Sequence, residues 1–178
     1  MNTLLHVCCA PCSLMSIETL RADKIEVAGL WYNPNIHPYT EYKQRRDTMR
    51  LHAENVNLKL FERDDYGLRE FVRLIYPDLE QRCESCYDIR LDYTAKFAKE
   101  NGFDSFTTSL LISPYQNHEL ICEVAQRKAD KYGIEFLYKD FRPYFREGQQ
   151  KAREAGYYMQ KYCGCVFSEE ERYLKIKR

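Results

Sequence analysis

The chain has 178 residues, of which 44% are apolar, and it carries 27 basic and 27 acidic side chains. That length and apolar content suit one domain with a full core and exclude an intrinsically disordered chain. A balanced charge excludes a surface that is basic all over, so contact with a polyanion would need a local basic patch.

In chain order, Met1-Asn2-Thr3 lacks the basic region of a secretory leader, and Leu4–Val7 is too short for its apolar core. No apolar run has the length of a membrane span, so the expected location is cytoplasmic with no membrane partner. Leu4–Val7 instead predicts a short buried strand. Ala10-Pro11-Cys12-Ser13 opens a helix with Leu14, Ile17 and Leu20 at helical spacing and Pro11 in the first turn. Ile25 to Tyr32 predicts a second strand, and two prolines make Asn33 to Pro38 a loop. Tyr39 to about Val56 reads as a charged helix, Leu58 to Glu62 as a third strand, and Leu68 to Ile75 as a short helix broken by Tyr76-Pro77-Asp78. A long helix over Ser85 to Asn101 ends at Gly102. Phe103 to Ser109 is a fourth strand, followed by the loop Leu111 to Tyr115. Asn117 to Tyr132 is a helix ended by Gly133, and Ile134 to Tyr138 is a fifth strand. A helical segment near Gln149 to Ala155, an aromatic loop and a C-terminal helix follow; Ser168-Glu169-Glu170-Glu171 fits a capping box at the start of that last helix.

Strands and helices alternate throughout. The pattern predicts an α/β fold: a single-domain, Rossmann-like parallel sheet with helices on both faces, formed by residues 1–178. The segment from about 140 to 178 is expected to close over the site. Such sheets bind ligands beyond the carboxyl ends of their strands. Cys8-Cys9 follows the first strand directly, and Thr107-Thr108-Ser109 ends the fourth.

Eight cysteines in a chain without an export signal point to metal or redox chemistry rather than a disulfide scaffold. Cys122 lies in the apolar helical pattern of Leu120, Ile121, Val124 and Ala125 and reads as a buried small hydrophobe. The other seven form three groups. Cys8, Cys9 and Cys12 sit at a strand-to-helix turn, where free N–H groups favour thiolate, the metal-binding form. Cys83 and Cys86 form a CxxC at a helix start, suited to a zinc half-site, a redox dithiol or a cluster half-site. Structural zinc would want a second CxxC or a His pair at matching spacing, and the chain has no H-x₃₋₅-H. Cys8, Cys9, Cys83 and Cys86 together would satisfy a [4Fe–4S] cluster. Cys163-Gly164-Cys165 would either chelate a metal or close a small, easily reduced disulfide.

Weaker candidates accompany these. His37 lies in a loop after a strand end, where functional residues concentrate, and Asp88 is expected either at a metal or as a first-turn helix carboxylate. Lys43, Arg45, Arg46 and Arg50 give one helix a basic face, read first as solvated and second as phosphate-binding, with Glu41, Asp47 and Glu54 diluting it. His6 and His52 are expected to be structural. Fifteen tyrosines offer stacking surface for bases or simple packing.

Five blocks of this chain resemble the QueH-type epoxyqueuosine reductases: Leu5-His6-Val7-Cys8-Cys9-Ala10-Pro11-Cys12-Ser13; Tyr32-Asn33-Pro34-Asn35-Ile36-His37-Pro38 with Glu41-Tyr42; Arg82-Cys83-Glu84-Ser85-Cys86-Tyr87; Thr107 to Gln116; and Tyr162-Cys163-Gly164-Cys165 with Phe167-Ser168. The resemblance implies reduction of epoxyqueuosine in tRNA to queuosine without cobalamin. It also implies a [4Fe–4S] cluster on a HUP-like α/β domain, with a second, mononuclear iron as an option. An electron donor of ferredoxin or flavodoxin type is then expected as a partner. Two uses of Cys163 and Cys165 follow: a dithiol that oxidises to a disulfide, or ligands, with Cys12 or Asp88, of the separate iron. The competing reading is a non-catalytic, zinc-stabilised tRNA-binding module. A thiolating enzyme of similar fold would want a Gly-rich phosphate loop, and Cys8-Cys9-Ala10-Pro11-Cys12 has no glycine.

Overall fold

The computed structural model describes residues 1–176. Its five strands are β1 (Asn2–Val7), β2 (Glu26–Trp31), β3 (Leu60–Glu62), β4 (Ser105–Thr108) and β5 (Glu135–Phe136). They pair in parallel throughout, in the order β3-β2-β1-β4-β5. Seven α-helices lie among the described residues: α1 (Ala10–Ala22), α2 (Tyr39–Asn55), α3 (Leu68–Ile75), α4 (Arg82–Glu100), α5 (His118–Tyr132), α6 (Phe145–Glu154) and α7 (Val166–Leu174).

β1 is central because its side chains suit burial on both faces: Leu4, Leu5 and Val7 are fully covered. Its two polar inward residues are satisfied across the sheet. Thr3 Oγ1 hydrogen-bonds Ser105 Oγ at 2.7 Å. His6 contacts Thr108 Oγ1 at 2.9 Å and the Tyr32 carbonyl at 3.2 Å.

From β1 the chain winds outward through β2 to β3, then crosses back to β4 and winds outward the other way to β5. Right-handed crossovers on either side of the reversal put helices on both faces. α1 packs with α2 and α6, and α4 packs with α3 and α5. The reversal leaves a crevice between the carboxyl ends of β1 and β4, the place where open parallel sheets hold ligands. α6 approaches α1 closely: a Cβ on Gly148 would stand 3.0 Å from Met15 Cγ and 3.5 Å from the Pro11 carbonyl oxygen.

Several element boundaries depart from the sequence expectation: β3, β4 and β5 are shorter, and Ser109–Ile112 forms a 3-10 turn. α4 begins at Arg82 rather than Ser85, so Cys83 and Cys86 both lie within its first five residues. α6 begins at Phe145. α7 starts at Val166, with Cys165 as the N-cap; its sulfur accepts the Ser168 N–H at 3.4 Å. Ser168 therefore sits inside the helix, its hydroxyl donating back to the Cys165 carbonyl at 2.7 Å, and the expected capping box does not form.

Candidate metal and redox centre

The first thiol group is set by the exit of β1. The Cys8 N–H donates to Ser109 Oγ at 3.1 Å, and the same hydroxyl donates to Cys8 Sγ at 3.4 Å. The end of β4 thus fixes the turn that follows β1. Cys9 is the extended N-cap of α1 and Cys12 lies in its first turn. The sulfurs of Cys8, Cys9 and Cys12 all lie within 4.8 Å of one another, and Cys8 and Cys9 are 3.7 Å apart. A tetrahedral ion with metal–sulfur bonds of about 2.3 Å has ligand edges of about 3.8 Å, so the spacing matches one metal corner. Hydrogen bonds from Cys12 and Cys9 hold the Cys8 thiol well below its ordinary value. Cys9 is pushed up by burial, and Cys12 by its hydrogen bond to Cys8. A cation in the nest would release the protons that burial and hydrogen bonding hold on Cys9 and Cys12. Gln160 covers this nest: its Nε2 stands 2.9 Å from Cys9 Sγ and 3.3 Å from Cys12 Sγ. Its buried Oε1 has no hydrogen-bond partner among the described residues.

Cys83 and Cys86, three residues apart on α4, face the same way. They line a small cavity, of about 20 Å³, together with Cys163, Cys165, Arg90 and Gln116. Burial pushes the Cys86 thiol up to about 11. Cys163 is exposed, and a hydrogen bond from Cys165 brings it down to about 5, while the hydrogen bond to Cys163 pushes Cys165 up. The lowered member, Cys163, is also the exposed one, a placement suited to attack or oxidation.

The Cys163-Gly164-Cys165 loop is held from behind by α2 and the loop before it. Arg45 donates to the Tyr162 carbonyl at 2.9 Å and the Cys163 carbonyl at 3.0 Å. The His37 N–H donates to the Gly164 carbonyl at 2.8 Å, and the Tyr162 hydroxyl donates to the His37 carbonyl at 2.5 Å. Arg45 is buried beside Glu41, 2.6 Å away, and Glu41 also accepts the Tyr158 hydroxyl. Gly164 has φ +143°, and a Cβ there would lie 3.2 Å from both Asn35 Nδ2 and Ile36 Cγ1. The loop passes where only a residue without a side chain fits.

Arg90 differs from Arg45. It is 3% exposed, and no carboxylate pairs with it among the described residues. Its Nε donates to the Cys86 carbonyl at 3.0 Å and its Nη2 to Cys86 Sγ at 3.1 Å. Its charge acts most strongly on Cys86, then on Cys8, Tyr87 and Cys163.

The grouping of thiols is therefore three and four. Cys8, Cys9 and Cys12 form one nest, and Cys83 and Cys86 share a cavity with Cys163 and Cys165. Of the two weaker candidates, His37 is 1% exposed, burial lowers it to about 4, and its backbone N–H serves the loop. Asp88 turns from the thiols to Lys128, 2.7 Å away. The basic face of α2 is also neutralised, Lys43 by Asp47, Arg46 by Asp64 and Arg50 by Glu62, while Arg45 is buried rather than solvated. Cys122 packs partly buried against the core, and His6 and His52 are buried structural residues. Sequence reading assigned no role to Gln160, Glu41 or Arg90. Glu41 stood in one of the blocks of family resemblance and Arg90 lies one helical turn after Cys86.

A protein-family model described as epoxyqueuosine reductase QueH matches residues 3–171. A protein of that name from Dehalococcoides mccartyi is 36% identical over 172 residues, covering 97% of this chain and 94% of its own. The namesake from Thermotoga maritima is 38% identical over 189 residues, covering 99% and 96%. The one from Streptococcus pyogenes is 36% identical over 179 residues, covering 94% and 70%.

Proposed function

The chain belongs to the epoxyqueuosine reductase QueH family, and from that premise we propose that it removes the epoxide oxygen of epoxyqueuosine in tRNA, giving queuosine without cobalamin. The observation that carries the reading is seven thiols gathered from three distant segments at the sheet's carboxyl edge, with a buried guanidinium among them.

The donor set suits an iron–sulfur centre. Soft thiolate ligands select iron–sulfur clusters or zinc, and a buried Arg90 without a carboxylate asks for anionic neighbours, which metal-bound thiolates supply. Cys8 and Cys9 from the nest and Cys83 and Cys86 from the cavity are proposed to hold a [4Fe–4S] cluster, for which the Cys8 and Cys9 sulfurs, 3.7 Å apart, would spread onto different corners. When bound, it would pass electrons one at a time from a ferredoxin- or flavodoxin-type donor.

Deoxygenation breaks two carbon–oxygen bonds and consumes two electrons and two protons, releasing water. In the proposed step Cys163 and Cys165 supply the two electrons as one S–S bond forms, so the substrate is reduced and the pair oxidised; the thiol proton of Cys165 and one proton from solvent leave with the oxygen as water. The exposure of Cys163 and its lowered pKa support this role. Arg45 and His37 keep the loop in place while its sulfurs change partners. Closure of the site by the segment that begins near residue 140 is supported by Gln160, whose amide covers Cys9 and Cys12. Tyr115, exposed and next to cavity-lining Gln116, offers a ring for stacking a base of the tRNA.

A second use of the loop, as ligands of a separate iron, is supported by the cavity that Cys163 and Cys165 share with Cys83 and Cys86; Cys12 is not among its lining residues. The test is iron and sulfide analysis of protein prepared without oxygen, followed by an assay on epoxyqueuosine-tRNA read as nucleosides by mass spectrometry. About four irons, product formation, and loss of product but not iron in Cys163→Ser support the disulfide step. A fifth iron lost in Cys163→Ser replaces that step with the second-iron reading. A colourless protein with stoichiometric zinc and no product overturns the proposal in favour of a zinc-stabilised tRNA-binding module.

A further inference from the structure

We infer that Arg90 is the internal counter-ion of this centre, a positioning residue whose buried charge fixes the potential at which the centre takes up an electron. The inference rests on the iron–sulfur reading above and deepens it. Two arginines are buried at the thiols, and they are built differently. Arg45 carries its own carboxylate, Glu41, and spends its remaining N–H groups on the carbonyls of a loop. Arg90 carries none. Its side chain is tied to its own helix through the Cys86 carbonyl, and its free end is aimed at Cys86 Sγ.

A guanidinium without an anion is not stable in an apolar interior, and it cannot shed its proton to escape. Cys86 Sγ is in direct contact, and Cys163 and Cys165 line the same cavity as Arg90. Its charge is also felt at Cys8, in the nest, and at Tyr87, so the one charge acts on both thiol groups. A centre ligated by thiolates gains one more negative charge with each electron, with no bond made or broken. In a region of low dielectric a nearby fixed positive charge stabilises that added electron more than it would in water. Net charge and hydrogen bonds to sulfur are the protein's means of setting cluster potentials.

The test compares wild-type, Arg90→Lys and Arg90→Met proteins reconstituted anaerobically with iron and sulfide. Each is checked by circular dichroism and iron analysis, then titrated with a chemical reductant while the reduced centre is followed by electron paramagnetic resonance. The expected result is equal iron in all three, a midpoint moved to more negative potential in R90M, and R90K close to wild type. A folded R90M that holds less iron than R90K also supports the inference, because charge rather than bulk then decides retention. Should R90M prove unfolded, Arg90→Gln, which keeps donors without the charge, takes its place. Equal iron with equal midpoints in all variants overturns the inference and leaves the iron–sulfur reading standing. A shift in R90K as large as in R90M does the same. Wild-type protein that takes up no iron overturns the reading and the inference with it.

Discussion

Replacing Glu41 by Gln removes one charge from a pair that water scarcely reaches: Glu41 is 8% exposed and Arg45 2%. Gln keeps one oxygen to accept from Arg45, and its NH2 takes the place of the oxygen that accepts the Tyr158 hydroxyl, so that second bond is kept only with Tyr158 turned to accept; the main loss is the charge. At the 2.6 Å separation of the pair, attraction at an effective dielectric of 20 is about 6 kcal/mol. Part of that is returned because Gln needs no charge desolvated, and breaking a buried pair on one side costs about 3–5 kcal/mol in practice. Against a total stability of about 5–15 kcal/mol, this is a large fraction. The assay is urea unfolding of the reduced, metal-free protein by far-ultraviolet circular dichroism, compared at a constant denaturant slope. Glu41→Gln and Arg45→Met should each lose stability in this range, and the double variant should lose clearly less than their sum. A loss below about 1 kcal/mol for Glu41→Gln, the size of an exposed pair, would refute the view that this pair is a buried anchor of the loop.

Gly164→Ala should cost about 1–3 kcal/mol in backbone strain, and alkylation with mass analysis should show Cys163 and Cys165 failing to form a disulfide under mild oxidation that closes it in wild type. Gln160→Leu removes the N–H groups from Cys9 and Cys12 and should lower metal retention against a chelator about tenfold or more. Burial lowers His52 from 6.5 to about 4. The unfolded chain therefore binds the extra proton first: the His52 contribution is whole above pH 6.5 and drains away as pH falls towards 4, by up to about 1.4 kcal/mol per pH unit. His52→Gln should flatten the pH dependence of unfolding stability in that window, and an unchanged slope would refute the assignment.

The sheet was legible because its strands announce themselves locally. Ile25 to Tyr32 contains all of β2, Leu4 to Val7 is the core of β1, and the turn to α1 falls where Pro11 predicts. The thiol clusters were legible as residues but not as groups. Spacing pairs Cys83 with Cys86, yet only the docking of the C-terminal segment decides that Cys163 and Cys165 join them. The same long-range packing explains the misread α2. Arg45 looks like its neighbours Arg46 and Arg50 in sequence, and it is buried because the Tyr162-Cys163 carbonyls fold back over it. His37 was placed at a site by its loop, and its part there proved to belong to its backbone.

The cover that Gln160 makes over Cys9 and Cys12 has a consequence in the order of synthesis. The three nest thiols leave the ribosome with β1 and α1, about 150 residues ahead of Gln160 and the Cys163-Gly164-Cys165 loop. A product cut short after β5 retains every strand of the sheet and lacks the amide that shields the nest. Its sulfurs would meet oxygen and stray cations in a way that those of the finished chain do not, so the C-terminal segment also protects the chemistry before any substrate arrives.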